Sequence, residues 1–279
     1  VLVTGCSSGI GQAAAIGLAA RGFRVFATAR APAAVATLAG LGLESLELDV
    51  SDSGSIDHAV RAVLDRTGGR LYGLFNNAGY GQPGAVEDLT REALREQFET
   101  NLFGAHELTC RVLPAMRARG EGRIIQNSSL LGYVALRYRG AYVASKHALE
   151  GLTDALRLEL ADSGVEVSLI EPGPIASRFR ENALAAYRRH LRPEASVHRE
   201  AYRRIEGRLT TRWAPNWRVW RAWCYIPVWS DRARAARRSA VGMTGRGSDA
   251  RTSVSDAEVP SAIPRVRWRT ASDPLRRGP

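Results

Sequence analysis

Short apolar runs and stretches of helical period alternate along the first 170 residues of the chain. Val1–Thr4, Phe23–Ala27, Leu46–Leu48, Leu71–Phe75, Arg123–Gln126 and Val165–Ile170 read as strands. Between them, Gly9–Arg21 reads as a helix stopped by Gly22, and Ser53–Arg66 as a second, with Ile56, Ala59, Val60, Val63 and Leu64 on one face. Leu94, Phe98, Leu102 and Leu108 mark one stripe of a long helix, and Leu149, Leu152, Leu156 and Leu160 that of another. Strand and helix in strict alternation predict an α/β chain, a doubly wound parallel sheet with helices on both faces. Ligands of such sheets sit beyond the carboxyl ends of the strands. The residues that follow Thr4, Ala27, Leu48, Phe75, Gln126 and Ile170 are therefore the places to look for chemistry.

Each of these places carries polar or glycine-rich text. Gly5-Cys-Ser-Ser-Gly9-Ile-Gly11 joins the first strand to a helix. Glycines there let the backbone turn sharply, and a helix N-terminus offers amide donors to a phosphate. Arg30 follows the second strand, where a guanidinium can attract the 2′-phosphate of NADP or lie solvated at the surface. Asp49 either accepts a hydrogen bond from an adenine amino group or opens the turn Asp49-Val-Ser-Asp. Asn76-Asn77-Ala78-Gly79 offers amides and a close-approach glycine, or is a plain turn.

Composition sharpens one of these positions. The chain of 279 residues carries 38 arginines but one lysine, Lys146. Tyr142 lies four residues before it, so the two share one face of a helix. A free phenol ionises near 10, and a nearby ammonium favours phenolate. A compact ammonium differs in shape and donor geometry from the planar arginine fork, which gives a physical reason for lysine at this position. Ser129 ends the fifth strand thirteen residues upstream of Tyr142.

TGCSSGIG (4–11), NNAG (76–79), Asn101 within TNLFGA, NSS (127–129), YVASK (142–146) and EPGPI (171–175) together resemble the short-chain dehydrogenase/reductase family. The similarity is greatest to its NADP-dependent aldehyde reductase, 17β-hydroxysteroid dehydrogenase and retinol dehydrogenase branch, and covers roughly residues 1–190. The resemblance implies a Rossmann-like, three-layer αβα fold and hydride transfer between NADP(H) and a carbonyl or alcohol carbon. It implies Tyr142 as general acid–base, Ser129 as carbonyl binder, Lys146 as the group lowering the Tyr142 pKa and holding a ribose, and Asn101 as support of a proton relay. It assigns Gly5, Ser8, Gly9, Ile10 and Gly11 to the pyrophosphate and adenosine side, with Ser8 and Arg30 near a 2′-phosphate. Asp49 and Val50 would flank adenine, and Asn76, Ala78 and Gly79 its ribose. Pro172, Gly173 and Ile175 would fix the nicotinamide face, and Ser177 stands where the family often has threonine. No metal is implied. Helices near 92–112 and 142–161 match those that pair in family dimers, so a homodimer or homotetramer is expected. Leu131, Tyr133, Leu136 and Tyr138 either line an apolar pocket or pack as ordinary loop. As pocket lining they favour a lipophilic aldehyde, ketone or steroid-like alcohol.

Charge and aromatics divide the chain. Net charge is +11, but residues 213–279 hold 13 arginines against 5 acids and all six tryptophans, leaving 26 basic and 23 acidic residues in 1–212. The expected organisation is a catalytic domain over 1–212, with 177–212 as a substrate lid, followed by an atypical Arg/Trp-rich segment over 213–279. That segment reads first as a shifted reading frame, then as a genuine disordered tail, and last as an element for a membrane or nucleic-acid surface. Relative to the family the first strand looks clipped and a seventh strand is not evident. Nothing in 1–212 supports a nucleic-acid partner. No signal sequence or run of 18 apolar residues is visible, and Cys6, Cys110 and Cys224 form neither a disulfide framework nor a metal spacing. A cytoplasmic location and a small-molecule carbonyl or alcohol partner are expected. The second function class is a dinucleotide-binding protein or sensor without turnover, disabled by its altered C-terminus.

Overall fold

The computed structural model describes residues 1–175 and 177–210. The segment 213–279 and any seventh strand within it lie outside the described residues. Six parallel strands form one sheet in the order β3-β2-β1-β4-β5-β6. They are β1 (Leu2–Val3), β2 (Phe26–Ala29), β3 (Glu44–Glu47), β4 (Gly73–Asn76), β5 (Gly122–Asn127) and β6 (Val165–Ile170). The order reverses between β1 and β4, which opens a crevice above their carboxyl ends. β1 is only two residues long, yet it is paired on both sides, with Leu2 and Val3 opposite Phe26 and Ala27 and opposite Leu74 and Phe75. Both of its residues are fully buried. Continuous burial of β1, β2 and β4 is what a parallel strand covered on two faces requires.

The helices are α1 (Gly9–Ala19), α2 (Pro32–Gly40), α3 (Ser53–Thr67), α4 (Arg91–Phe98), α5 (Gly104–Arg119), α6 (Gly140–Glu159), α7 (Phe179–His190) and α8 (Arg199–Thr210). Two apolar clusters give the three layers. Ala15 of α1 and Leu38 of α2 pack with Val3, Ala27 and Phe75. Ile56, Val60 and Val63 of α3 and Leu108, Val112 and Met116 of α5 pack with Leu2, Phe26, Leu74 and Ile124. Local chemistry sets the helix ends. Asp52 accepts the Ser55 amide at 2.8 Å to start α3, and Gly68 closes it in the left-handed region at φ +58. Among the described residues no helix is long and apolar enough to cross a membrane.

Three sequence expectations shift. The second strand starts at Phe26, three residues later than expected, because a left-handed Gly22 at φ +85 lengthens the turn after α1. α2 was not expected; its small residues carry little periodicity, and Pro32 at its first turn supplies the start. The long helix over 92–112 is broken by a π-helical turn, Glu99–Phe103. Its buried face is Ala93, Gln97, Asn101, Ala105 and Leu108, while Leu94 is exposed and Phe98 and Leu102 are half-buried. The apolar stripe therefore marked the wrong face of α4.

The lid expected over 177–212 is helical over its described part. Of the apolar pattern Phe179, Ala183, Leu184 and Tyr187, Ala183 and Tyr187 are buried with Ala186, while Leu184 is half-buried and Phe179 exposed; α8 is fixed by Tyr202. The Tyr202 hydroxyl donates to Asp88 Oδ2 at 2.5 Å and accepts from the Ala85 amide at 2.9 Å. Ser196 adds a 2.6 Å bond to the same carboxylate oxygen.

The π turn delivers Gly104 against the loop after β3, where a Cβ would overlap the Val50 carbonyl. Gly104→Ala is expected to cost about 2 kcal/mol or more, since the obstruction is backbone. Urea unfolding measures this, and an unchanged midpoint would show that α5 does not press there.

Candidate active site

The carboxyl ends of β1, β4 and β5 are neighbours, so three loops meet in the crevice. Thr4 joins two of them. Its hydroxyl accepts the amides of Asn77 and Ala78, both at 2.9 Å. Asn77 replies through Nδ2, which donates to the carbonyls of Thr4 at 2.8 Å and Gly5 at 3.2 Å. Asn127 at the end of β5 donates to Asn77 Oδ1 at 2.9 Å and brings in the third loop. Gly5 has φ +66, and a Cβ on it would stand 2.8 Å from Ala78 Cα. Only glycine permits this approach.

The same turn fits the pyrophosphate of a dinucleotide. α1 opens at Gly9 behind the extended Ser8, whose side chain makes no capping bond. The amides of Gly9, Ile10 and Gly11 are thus first-turn donors without an intrahelical acceptor. The half-buried Ile10 side chain packs against the Val3–Phe75 cluster. Arg30 is exposed beyond β2, with Nε 3.9 Å from Asp49 Oδ2. Asp49 Oδ1 accepts the amide and hydroxyl of Ser51 at 3.0 and 2.7 Å, so the turn reading of Asp49 holds for that oxygen, while Asp52 is the helix cap. Val50 is buried beside it.

Asn76 departs from its expected place. Its Nδ2 donates to the Ala105 carbonyl at 3.0 Å and to Thr109 at 2.9 Å, which ties β4 to α5. Alternation along the strand turns Asn76 to the helix and leaves Asn77 for the glycine turn. Ala78 and Gly79 remain in the crevice. A Cβ on Gly79 would lie 3.1 Å from Asn101 Oδ1 and 3.9 Å from Lys146 Nζ. After β6, the Pro172 carbonyl accepts the Leu130 amide at 3.2 Å and links the Pro172–Gly173 loop to the Ser129 turn. Ile175 is exposed. Ser177 reaches the glycine turn, 2.7 Å from where a Gly9 Cβ would stand.

Asn101, Ser129, Tyr142 and Lys146 are all buried at the crevice floor. The π turn points Asn101 inward, where Nδ2 donates to the Tyr80 carbonyl at 2.9 Å and to Ser145 Oγ at 3.1 Å. Its Oδ1 accepts the Tyr80 amide at 3.1 Å. Lys146 Nζ donates to the Asn127 carbonyl at 2.7 Å and lies 5.7 Å from the Tyr142 ring centre. Burial lowers the Lys146 pKa to about 8, against the raising influence of Glu150. Burial raises the Tyr142 phenol, opposed first by a hydrogen bond with Ser129 and then by the charge of Arg139. The acidifying influence expected of Lys146 is thus exerted here by Ser129 and Arg139. Arg139 begins the turn into α6, three residues before Tyr142. Among 38 arginines it carried no signal of its own. Thr4, Asn77 and Asn127, which hold the loops together, were likewise not distinguished by residue type, because their roles lie in long-range hydrogen bonds.

Above Tyr142, the Phe179 ring meets it edge-on at 5.5 Å. Tyr138 sits at φ +64, 5.6 Å from the His198 ring centre and 6.2 Å from that of Tyr202. It packs against His198 and Tyr202, which is the loop-packing reading for this residue. Leu136 and Tyr133 are exposed, although the Tyr133 hydroxyl donates to Glu171 at 3.2 Å. Among the described residues, no group of three or more His, Cys, Asp or Glu is placed to hold a metal ion.

Known proteins share this arrangement. The family model described as short chain dehydrogenase matches residues 1–188. The oxidoreductase YbbO of Escherichia coli K12 is 49% identical over 182 residues, covering 65% of this chain and 68% of its own. Human 17-beta-hydroxysteroid dehydrogenase type 1 is 40% identical over 199 residues, covering 67% of this chain and 60% of its own. A metagenomic short-chain oxidoreductase solved in complex with NADP superposes with a TM-score of 0.57 at 36% identity, over 62% of this chain and 80% of its own. With the family model spanning the sheet, the glycine turn and the Tyr142–Lys146 helix, the chain belongs to the short-chain dehydrogenase family.

Proposed function

We propose that this chain is an NADP(H)-dependent oxidoreductase that interconverts the carbonyl and alcohol forms of a lipophilic aldehyde, ketone or steroid-like substrate. The observation that carries the reading is the buried Tyr142, on the helix face that also carries the chain's one lysine, with Ser129 buried at the same crevice floor. Gly5, the first-turn amides of α1 and the exposed Arg30 would hold the dinucleotide, with Ala78 and Gly79 along its middle and Pro172 and Gly173 at the nicotinamide end. When bound, the nicotinamide supplies or accepts the hydride. Ser129 and Tyr142 direct hydroxyls at the substrate oxygen, stabilise negative charge growing there, and Tyr142 delivers the proton. Arg139 keeps cationic charge near the phenol, so its proton is easier to release than burial alone would allow, and Lys146 would hold the ribose.

The NADP preference is supported by Arg30, by the lack of an acid directly after β2, and by the NADP complex of the metagenomic relative. A lipophilic substrate is supported by the exposed Val134, Leu136, Ile175 and Phe179 on the loops around Tyr142 and by likeness to a steroid dehydrogenase. Exposed Leu94, Phe103, Leu152 and Leu158 on or beside α4–α6 support a homo-oligomer.

Tyr142→Phe is expected to lower turnover of an aldehyde, ketone and steroid panel by about 100-fold or more, while NADPH binding read by fluorescence is kept. Retention of more than about a tenth of the rate would overturn the role of Tyr142. Arg30→Ala is expected to narrow the ratio of kcat/KM for NADPH over NADH by about tenfold, the value of a charge-assisted hydrogen bond. An unchanged ratio removes Arg30 from phosphate recognition.

A further inference from the structure

One turn after Lys146 on α6 lies a buried acidic cluster that the reaction above does not use. Glu150 and Glu171 are 8% and 3% exposed. Glu150 shares the Lys146 face of the helix by its spacing, and Glu171 follows β6 directly before Pro172. Two further oxygens define the setting. Glu150 Oε1 and Ser128 Oγ are buried with no hydrogen-bond partner, and each stands 2.8 Å from the point a Gly132 Cβ would occupy. Glycine at 132 thus leaves room for the carboxylate and the hydroxyl to converge under the turn that starts at Ser129. Buried polar atoms left unpaired are rare enough to require a reason.

We propose that Glu150 is a positioning residue of the active site: lying between Lys146 and the Ser128–Gly132 turn, its carboxylate couples the lysine amine to the strand end that carries Ser129, with Glu171 beside it as proton partner. The catalytic consequence rests on the reading of Ser129, Tyr142 and Lys146 given above. The coupling itself does not.

The charges around the cluster give it a direction. Glu150 is faced by Lys146, Asp154 and Arg157 of α6, by Ser128, by Tyr133 and by Glu171. Burial raises the Glu150 carboxyl and Asp154 adds to this, while Ser128, Tyr133 and Arg157 hold it down. Glu171 is pushed up to about 7 by burial and by the charge of Glu150. Two neighbouring buried carboxyls resist ionising together, so a proton held by Glu171 favours the anion of Glu150. Ionised Glu150 opposes the burial that depresses Lys146. It thereby favours the charged amine, and a charged amine is the stronger donor to the Asn127 carbonyl, two residues before Ser129.

The single lysine makes this directly measurable. Full-length protein labelled with 13Cε-lysine gives one lysine resonance, whose pH midpoint reports Lys146 without cofactor or substrate. Glu150→Gln is expected to move the midpoint down by about half a pH unit or more. Glu171→Gln relieves Glu150 of a like charge and is expected to move it up. Ser128→Ala leaves both carboxyls in place but removes a group that favours the Glu150 anion, and is expected to move the midpoint down by less than Glu150→Gln. In Glu150→Gln, the alkaline limb of the kcat profile is expected to move to lower pH with KM for the carbonyl held. An unmoved lysine midpoint in both Glu150→Gln and Ser128→Ala overturns the proposal, as does a fall of the same size in Glu150→Gln and Glu171→Gln. A wild-type chain that turns over no carbonyl, yet shows the opposed midpoint shifts, would overturn the oxidoreductase reading and leave the coupling standing.

Discussion

A primary amine withdrawn almost wholly from water is the constraint around which this molecule is arranged. Lys146 reaches the end of β5 and donates to the Asn127 carbonyl at 2.7 Å. An uncompensated ammonium in such a place would shed its proton or force the structure open. The backbone carbonyl, the aromatic face of Tyr142 and the carboxylate of Glu150 each offset part of that cost. Helix α6 is thereby fixed against the carboxyl end of the sheet, and the Tyr142 hydroxyl is fixed with it. Arginine could not make this arrangement: its fork spreads charge over a plane, and a single carbonyl would leave most of its donors unsatisfied.

The second constraint is the shortness of β1. Two residues of strand at the centre of a sheet provide little ladder, and the molecule makes up the deficit with side chains. Thr4 takes the amides of the β4 loop, Asn77 takes the carbonyls of the β1 loop, and Asn127 draws in β5. The glycine turn is therefore fastened from the side opposite its open amides. A phosphate site built of backbone donors needs such support, because its geometry is only as fixed as the turn that presents it.

Much of this was legible in the chain. Short apolar runs separated by amphipathic stretches gave the parallel sheet, and spacing alone put Tyr142 and Lys146 on one helical face. What could not be read came from two sources. α2 is short and rich in alanine with little periodicity, and the inward face of α4 is alanine and glutamine, so hydropathy marked neither: Leu94 is exposed and Gln97 buried. Asn76 and Asn77 are adjacent and identical in type, and only strand phase decides that one braces α5 and the other the glycine turn. Arg139 is hidden by the abundance of arginine, and the electrostatic pairing of Glu150 with Glu171 joins a helix to the residue after a strand, which no local pattern relates.

The π-helical turn at Glu99–Phe103 carries a consequence of its own. One surplus residue is held in a helix that could otherwise run straight from Arg91 to Arg119. The surplus sets the phase of the helix beyond it, and it gives Asn101 a backbone setting in which its amide spans Tyr80 and Ser145. Trimming a residue here would yield a more regular helix and a different inward face. The placement of the Asn101 amide thus depends on an irregularity that a helix built for regularity alone would lack.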